Sequence, residues 1–111
     1  MSNEQSQDAI HFGSFRLDTV NECLWHGKQA IALKPKAFAV LRYLVEHPGR
    51  LVSKNELLDA VWSDVAVSEG VLKFCIREIR KALGDNAQAP RFIETLHRRG
   101  YRFTAIFWIG E

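Results

Sequence analysis

Lys73, Arg77, Arg80 and Lys81 recur on the polar side of one amphipathic stretch, and Arg98 and Arg99 stand together a short way downstream. Cationic side chains in this arrangement suit the recognition of a polyanion. A guanidinium can bond both acceptors of a guanine edge, and an ammonium can neutralise a phosphate. From residue 68 to residue 102 there are eight Lys/Arg against four Asp/Glu, whereas the whole chain carries only +2. Positive charge is therefore concentrated locally, and the remainder of the chain is net acidic.

The chemistry divides this set. Arg77 is the best placed for base reading. Phe74 offers an apolar ring to a thymine methyl, or packs as a core residue beneath the downstream hairpin. Glu78 accepts from a cytosine amino group, or pairs within its helix with Lys81 or Arg77. Lys73, Arg80 and Lys81 suit phosphates, which set affinity and register. Ser53 and Lys54 open an earlier helix whose free N–H groups suit another phosphate. Arg98 and Arg99, with His97 beside them, suit a neighbouring minor groove, where negative potential favours arginine. Against all this stands the ordinary reading of a basic helix face as solvated surface; the basic hairpin directly after the helix weighs against it.

Other chemistries find no footing. His11, His26, His47 and His97 have no metal-ligand spacing with one another or with Cys23 and Cys75. Asp59 and Asp64 have no companion acid or base, and there is no phosphate-binding glycine loop or nucleophile elbow. No enzyme activity, metal or cofactor is expected. Two cysteines suit a reducing cytoplasm better than a disulfide scaffold. No apolar run approaches the roughly 20 residues of a membrane span.

The elements that would carry these residues follow from local signals. With 111 residues and 47% apolar content one domain is expected, over residues 12–105, behind a flexible tail at 1–11. Residues 106–111 would lead into further domains of a longer protein. Alternation around Phe15 and Leu17, Cys23-Leu24-Trp25 and 29–33 predicts a small antiparallel sheet. Pro35 opens a first helix, which His47-Pro48-Gly49 ends. Ser53 and Glu56 form a capping box for a second helix, with Val52 and Leu57 at the staple positions. After a short loop at 63–67, Ser68 caps a third helix (about 68–83). Val71, Leu72, Cys75, Ile76, Ile79, Ala82 and Leu83 fall on its apolar arc, and Gly84 ends it. Strands at 92–96 and 101–105 are joined by His97-Arg98-Arg99-Gly100, in which Gly100 can take the left-handed conformation of the turn. Two helices joined by a short turn, the second of them basic, make a helix-turn-helix unit.

This order resembles the OmpR/PhoB-type winged-helix DNA-binding domain over about residues 12–105. The matching stretches are Leu33-Lys34-Pro35-Lys36-Ala37-Phe38, Pro48-Gly49-Arg50-Leu51-Val52-Ser53-Lys54-Asn55-Glu56-Leu57-Leu58, Val61-Trp62, Ile76-Arg77-Glu78-Ile79-Arg80-Lys81-Ala82-Leu83-Gly84 and Gly100-Tyr101-Arg102-Phe103. The resemblance implies an α+β winged helix-turn-helix: an N-terminal antiparallel sheet, a three-helix core and a C-terminal β-hairpin wing. It implies sequence-specific binding of double-stranded DNA by a bacterial transcriptional regulator. The third helix would lie in the major groove and the wing (about 92–105) in the minor groove. The groove-facing positions would be Gly70, Phe74, Arg77, Glu78 and Lys81, with Thr95, His97 and Arg99 on the wing. Tandem binding to direct repeats and contact with RNA polymerase through the 63–67 loop are further implications.

Two departures stand out. Response regulators of this family commonly carry Arg where this chain has Glu78, so their base preference does not transfer. They also place a phosphoacceptor domain ahead of this one, where this sequence has eleven residues. The expected likeness is to regulators with an N-terminal winged helix, either ToxR/CadC-like membrane-anchored activators or ATPase-linked regulators. The rival reading is a winged helix that binds a partner protein with the same surface.

Overall fold

The computed structural model describes residues 9–104 and 107–108. Strands β1 (Ala9–Phe12), β2 (Phe15–Asp18), β3 (Cys23–His26) and β4 (Gln29–Ile31) form an antiparallel meander. Alternation sends Phe12, Phe15, Leu17 and Leu24 into the core. Asp18 sets the β2–β3 turn: its Oδ1 accepts from the Val20 and Asn21 amides, each at 3.1 Å.

The expected tail at 1–11 is too long by three residues. Ala9, Ile10 and His11 belong to β1 and pair with Asp18, Leu17 and Arg16. Ile10 packs partly buried against the core, and pairing satisfies the amides that would leave β2 an open edge. Phe107–Trp108 form a further strand, hereafter the last, paired antiparallel with Phe12 and His11. Residues 1–8 and the rest of 105–111 lie outside the described residues.

Helix α1 (Pro35–Val45) starts with proline in its first turn and buries Ala37, Phe38, Val40, Leu41, Leu44 and Val45. Two residues, β5 (Val52–Ser53), then precede α2 (Lys54–Val61). Ser53 Oγ accepts the Glu56 amide at 3.0 Å, so half of the capping box forms. The Glu56 carboxylate turns instead to Tyr43 Oη (2.5 Å) and Arg50 Nη2 (2.7 Å), tying α2 to α1. Arg50 and then Tyr43, both donating, hold the Glu56 carboxyl below its ordinary range.

Helix α3 (Glu69–Leu83) buries Leu72, Cys75, Ile76, Ile79 and Leu83. Gly84, with φ 68°, ends it in the left-handed conformation, and the Asp85 amide returns to the Arg80 carbonyl at 2.8 Å. Ser68 is the N-cap but makes no side-chain capping bond. Val71 departs from the expected arc: it is 37% exposed, because it sits in the first turn, at the margin of the contact with the core.

The wing is β6 (Ile93–Leu96) and β7 (Gly100–Phe103), and the last strand is β8. The two sheets run β4-β3-β2-β1-β8 and β5-β7-β6. Sequence reading missed β5, and with it the reason for Gly100. The left-handed residue in the turn is Arg98 (φ 66°), whereas Gly100 has φ 154° and pairs with Ser53. A Cβ on Gly100 would overlap the Val52 carbonyl oxygen and lie 2.8 Å from Ser53 Cα. Glycine there permits the approach of two strands. A single apolar cluster unites the first sheet, the three helices and the wing base through Phe12, Leu41, Leu57, Ile79, Phe92 and Phe103.

Candidate nucleic-acid interface

Burying one side of α3 leaves Lys73, Phe74, Arg77 and Lys81 exposed on the other, with Glu78 half-buried at the edge of that face. Phe74 is 44% exposed and does not lie in the core, so the packed reading of this ring does not hold. Lys34, at the start of α1, places its Nζ 5.8 Å from the ring centroid. Glu78 belongs to none of the ion pairs among the described residues, so the expected pairing with Lys81 or Arg77 is not formed.

The hairpin turn projects His97, Arg98 and Arg99 into solvent, with the Arg99 amide bonded to the Leu96 carbonyl at 2.8 Å. A concavity of about 480 Å³ joins this tip to the starts of α2 and α3, lined by Ser53, Lys54, Asn55, Glu69, Arg98 and Arg99. Within it Lys54 Nζ pairs with Glu69 at 3.3 Å. Ser53 Oγ is occupied as the cap but retains a proton to donate. A second cleft, between α3 and the wing, is lined by Lys73, Ile76, Arg77, Arg80, Ala87, Thr95 and Tyr101.

Four cations have acidic partners among the described residues. Arg42, Arg50, Lys54 and Arg102 are neutralised by acidic partners. Lys73, Arg77 and Lys81 on α3, and Arg98 and Arg99 on the turn, have no such partner among the described residues. Arg16, Lys28, Lys34, Lys36, Arg80 and Arg91 are likewise outside those ion pairs, so what marks the five is their exposure together on α3 and the wing turn, a set suited to a polyanion. Arg80 and Thr95 behave differently from the rest of the predicted set: Arg80 Nη2 bonds Thr95 Oγ1 at 2.7 Å. Asp85 was missed as a supporting residue. It accepts the amides of Arg91 (2.7 Å), Phe92 (3.2 Å) and Ile93 (2.9 Å), fixing where the wing begins. Lys34 was missed as well, since nothing in its own sequence neighbourhood places it over Phe74.

Known proteins share this fold and much of this sequence. The sequence model described as "Transcriptional regulatory protein, C terminal" matches residues 27–103. Transcriptional regulator HilA of Salmonella typhi is 44% identical over 80 residues, which are 72% of this chain and 14% of HilA. The crystal structure of the Klebsiella pneumoniae RstA DNA-binding domain in complex with the RstA box is 32% identical, with a TM-score of 0.77. It covers 86% of this chain, and the likeness covers 96% of that one. The DNA-binding domain of Escherichia coli CadC is 26% identical with a TM-score of 0.77, covering 92% of this chain and 98% of that domain. The chain therefore spans whole DNA-binding domains of such proteins but only about a seventh of the HilA length.

Proposed function

We propose, since the chain belongs to the family of transcriptional regulatory protein C-terminal domains, the OmpR/PhoB type of DNA-binding domain, that it reads a specific double-stranded DNA site through two grooves. Helix α3 lies in the major groove and the β6–β7 turn in the adjacent minor groove. Arg77 bonds a guanine edge, Phe74 meets a thymine methyl and Glu78 accepts from a cytosine amino group. Lys73, Lys81 and the Ser53–Lys54 end of α2 hold phosphates. Arg98, Arg99 and His97 face the minor groove. The observation that supports this most is the set of five uncompensated cations on α3 and the wing turn, on a fold shared with a domain crystallised on its DNA box.

Two further readings extend it. The 63–67 loop, where Val65 is 60% exposed, is the segment offered to RNA polymerase. Copies of the domain bind in tandem on direct repeats, as befits a regulator acting on a bacterial chromosome.

The test is fluorescence anisotropy with a labelled random-sequence duplex across salt concentrations, alongside in-vitro selection of preferred sites. Binding through several phosphates weakens with a log–log slope of about −0.9 per contact, and a repeated motif emerges from the selection. Absence of binding at low salt rejects the reading and turns attention to a protein partner for this surface.

A further inference from the structure

Strand β6 is an edge strand that pairs only with β7. The backbone of Ile93 therefore points away from the ladder, and its two polar groups need partners elsewhere. Asp85 accepts the Ile93 N–H at 2.9 Å, and Arg80 Nη2 donates to the Ile93 carbonyl at 2.8 Å. The same Nη2 donates to Thr95 Oγ1 at 2.7 Å. The guanidinium is further enclosed, since its Nε is buried without a hydrogen-bond partner among the described residues. A side chain held at one end by α3 and at the other by the Ile93 carbonyl and the Thr95 hydroxyl of β6 is not free to swing to a phosphate.

We infer that Arg80 is a positioning residue that locks the third helix to the wing, so that the two reading elements meet DNA as one rigid body. It acts through Thr95 and the Ile93 carbonyl. The lock is a property of the free protein; its consequence for binding rests on the function proposed above. A rigid pair of readers retains its advantage only where both contacts are in register, at a specific site. On random DNA, attraction to phosphates dominates and the mutual angle of the readers matters little.

The experiment has two arms. Amide hydrogen exchange of the free chain compares Arg80→Ala, Thr95→Val, Thr95→Ser and the Arg80→Ala/Thr95→Val double variant. Loss of a hydrogen bond to a charged group corresponds to about tenfold or more in an opening equilibrium. The Glu94 and Arg102 amides are expected to exchange about tenfold faster in Arg80→Ala and Thr95→Val. Thr95→Ser keeps the hydroxyl and should behave as the parent, as should α1 in every variant. The double variant is expected to be no worse than Arg80→Ala, because the two residues share one interaction.

The second arm uses the most enriched duplex from in-vitro selection and a random-sequence duplex. Thr95→Val changes no charge, yet is expected to weaken the selected duplex about tenfold and the random one little, with Thr95→Ser restoring the parent affinity. Unchanged wing exchange in both single variants, or additive effects in the double, overturns the lock. Equal weakening of both duplexes by Arg80→Ala, with a salt slope shallower by about 0.9, reinstates Arg80 as a phosphate contact. If Arg80→Ala fails to fold, Thr95→Val still decides. Because the first arm contains no DNA, a chain that binds no duplex refutes the proposed function while exchange alone judges the lock.

Discussion

Asp85 Oδ2 accepts the backbone N–H of Ile93 at 2.9 Å, bringing the first residue of the wing back to the end of the third helix. Desolvation works to raise this carboxyl, but the amides of Arg91, Ile93, Asn86 and Phe92 outweigh it and hold it below its ordinary 3.8. A lowered folded value means that the ionised carboxylate stabilises the fold at pH above 3.8. That contribution is lost as pH falls below 3.8 through the folded value. Asp85→Ala leaves the wing-entry amides without their acceptor and should cost about 1–3 kcal/mol near neutral pH. Urea unfolding of both proteins checks this, and the gap between them should narrow in acid. A gap that stays constant with pH would remove the carboxylate from the account.

Gly100→Ala should be the most damaging conservative change in the wing. The new Cβ meets the Val52 carbonyl oxygen and Ser53 Cα, both backbone, so no side chain can swing aside. Pairing of β5 with β7 must loosen, at a cost of about 1–3 kcal/mol or more. Gly27→Ala makes a useful control. It has φ 65° but open space around it, so it carries only the conformational strain of a left-handed residue. Thermal unfolding should place Gly100→Ala clearly below Gly27→Ala; the reverse order would discount the steric argument.

Much of this fold was legible because its signals are local. Pro35, the Ser53–Glu56 cap and Gly84 punctuate helices through bonds within a few residues. What escaped depends on partners distant in sequence. Strand β5 is two residues long and exists only because β7 lies beside it. Gly100 reads as a turn glycine until that pairing is known, while the turn itself is taken by Arg98. The cations of α3 look alike along the sequence. Only the position of edge strand β6 separates Arg80, bonded to Ile93 and Thr95, from Arg77, which is exposed. Phe74 shows the same limit, since periodicity left its ring open to either side and only the packed structure puts it at the surface.

Arg77 and Lys81 should separate cleanly in binding. On the proposed reading Arg77→Ala takes away a base contact and should cost about 1–3 kcal/mol at one base pair while relaxing preference there. On the same reading Lys81→Ala takes away a phosphate contact. It should weaken all duplexes alike and make the salt slope shallower by about 0.9. Selection followed by salt titration distinguishes the two. Identical behaviour in both variants would reduce this helix face to general electrostatics.

Glu78 is the residue whose charge runs against its surroundings. It sits half-buried at the edge of the polar side of α3, near Arg77 and Lys81, and none of the ion pairs among the described residues claims it. A carboxylate there repels phosphate and is useful only if a base edge donates to it. Glu78→Gln removes the charge at nearly constant shape. It should raise affinity for random duplexes by removing a repulsion, while the advantage of the selected site over random DNA should fall by about 1 kcal/mol, because the neutral carbonyl that remains accepts from cytosine more weakly than a carboxylate. Anisotropy titrations with the selected and random duplexes, and with the selected duplex altered at each G·C pair in turn, locate the effect. If Glu78 reads cytosine, altering one G·C pair will cost the parent more than the variant, while altering the others will cost both alike. Equal discrimination by parent and variant at every pair would leave Glu78 as a charge that tunes affinity alone.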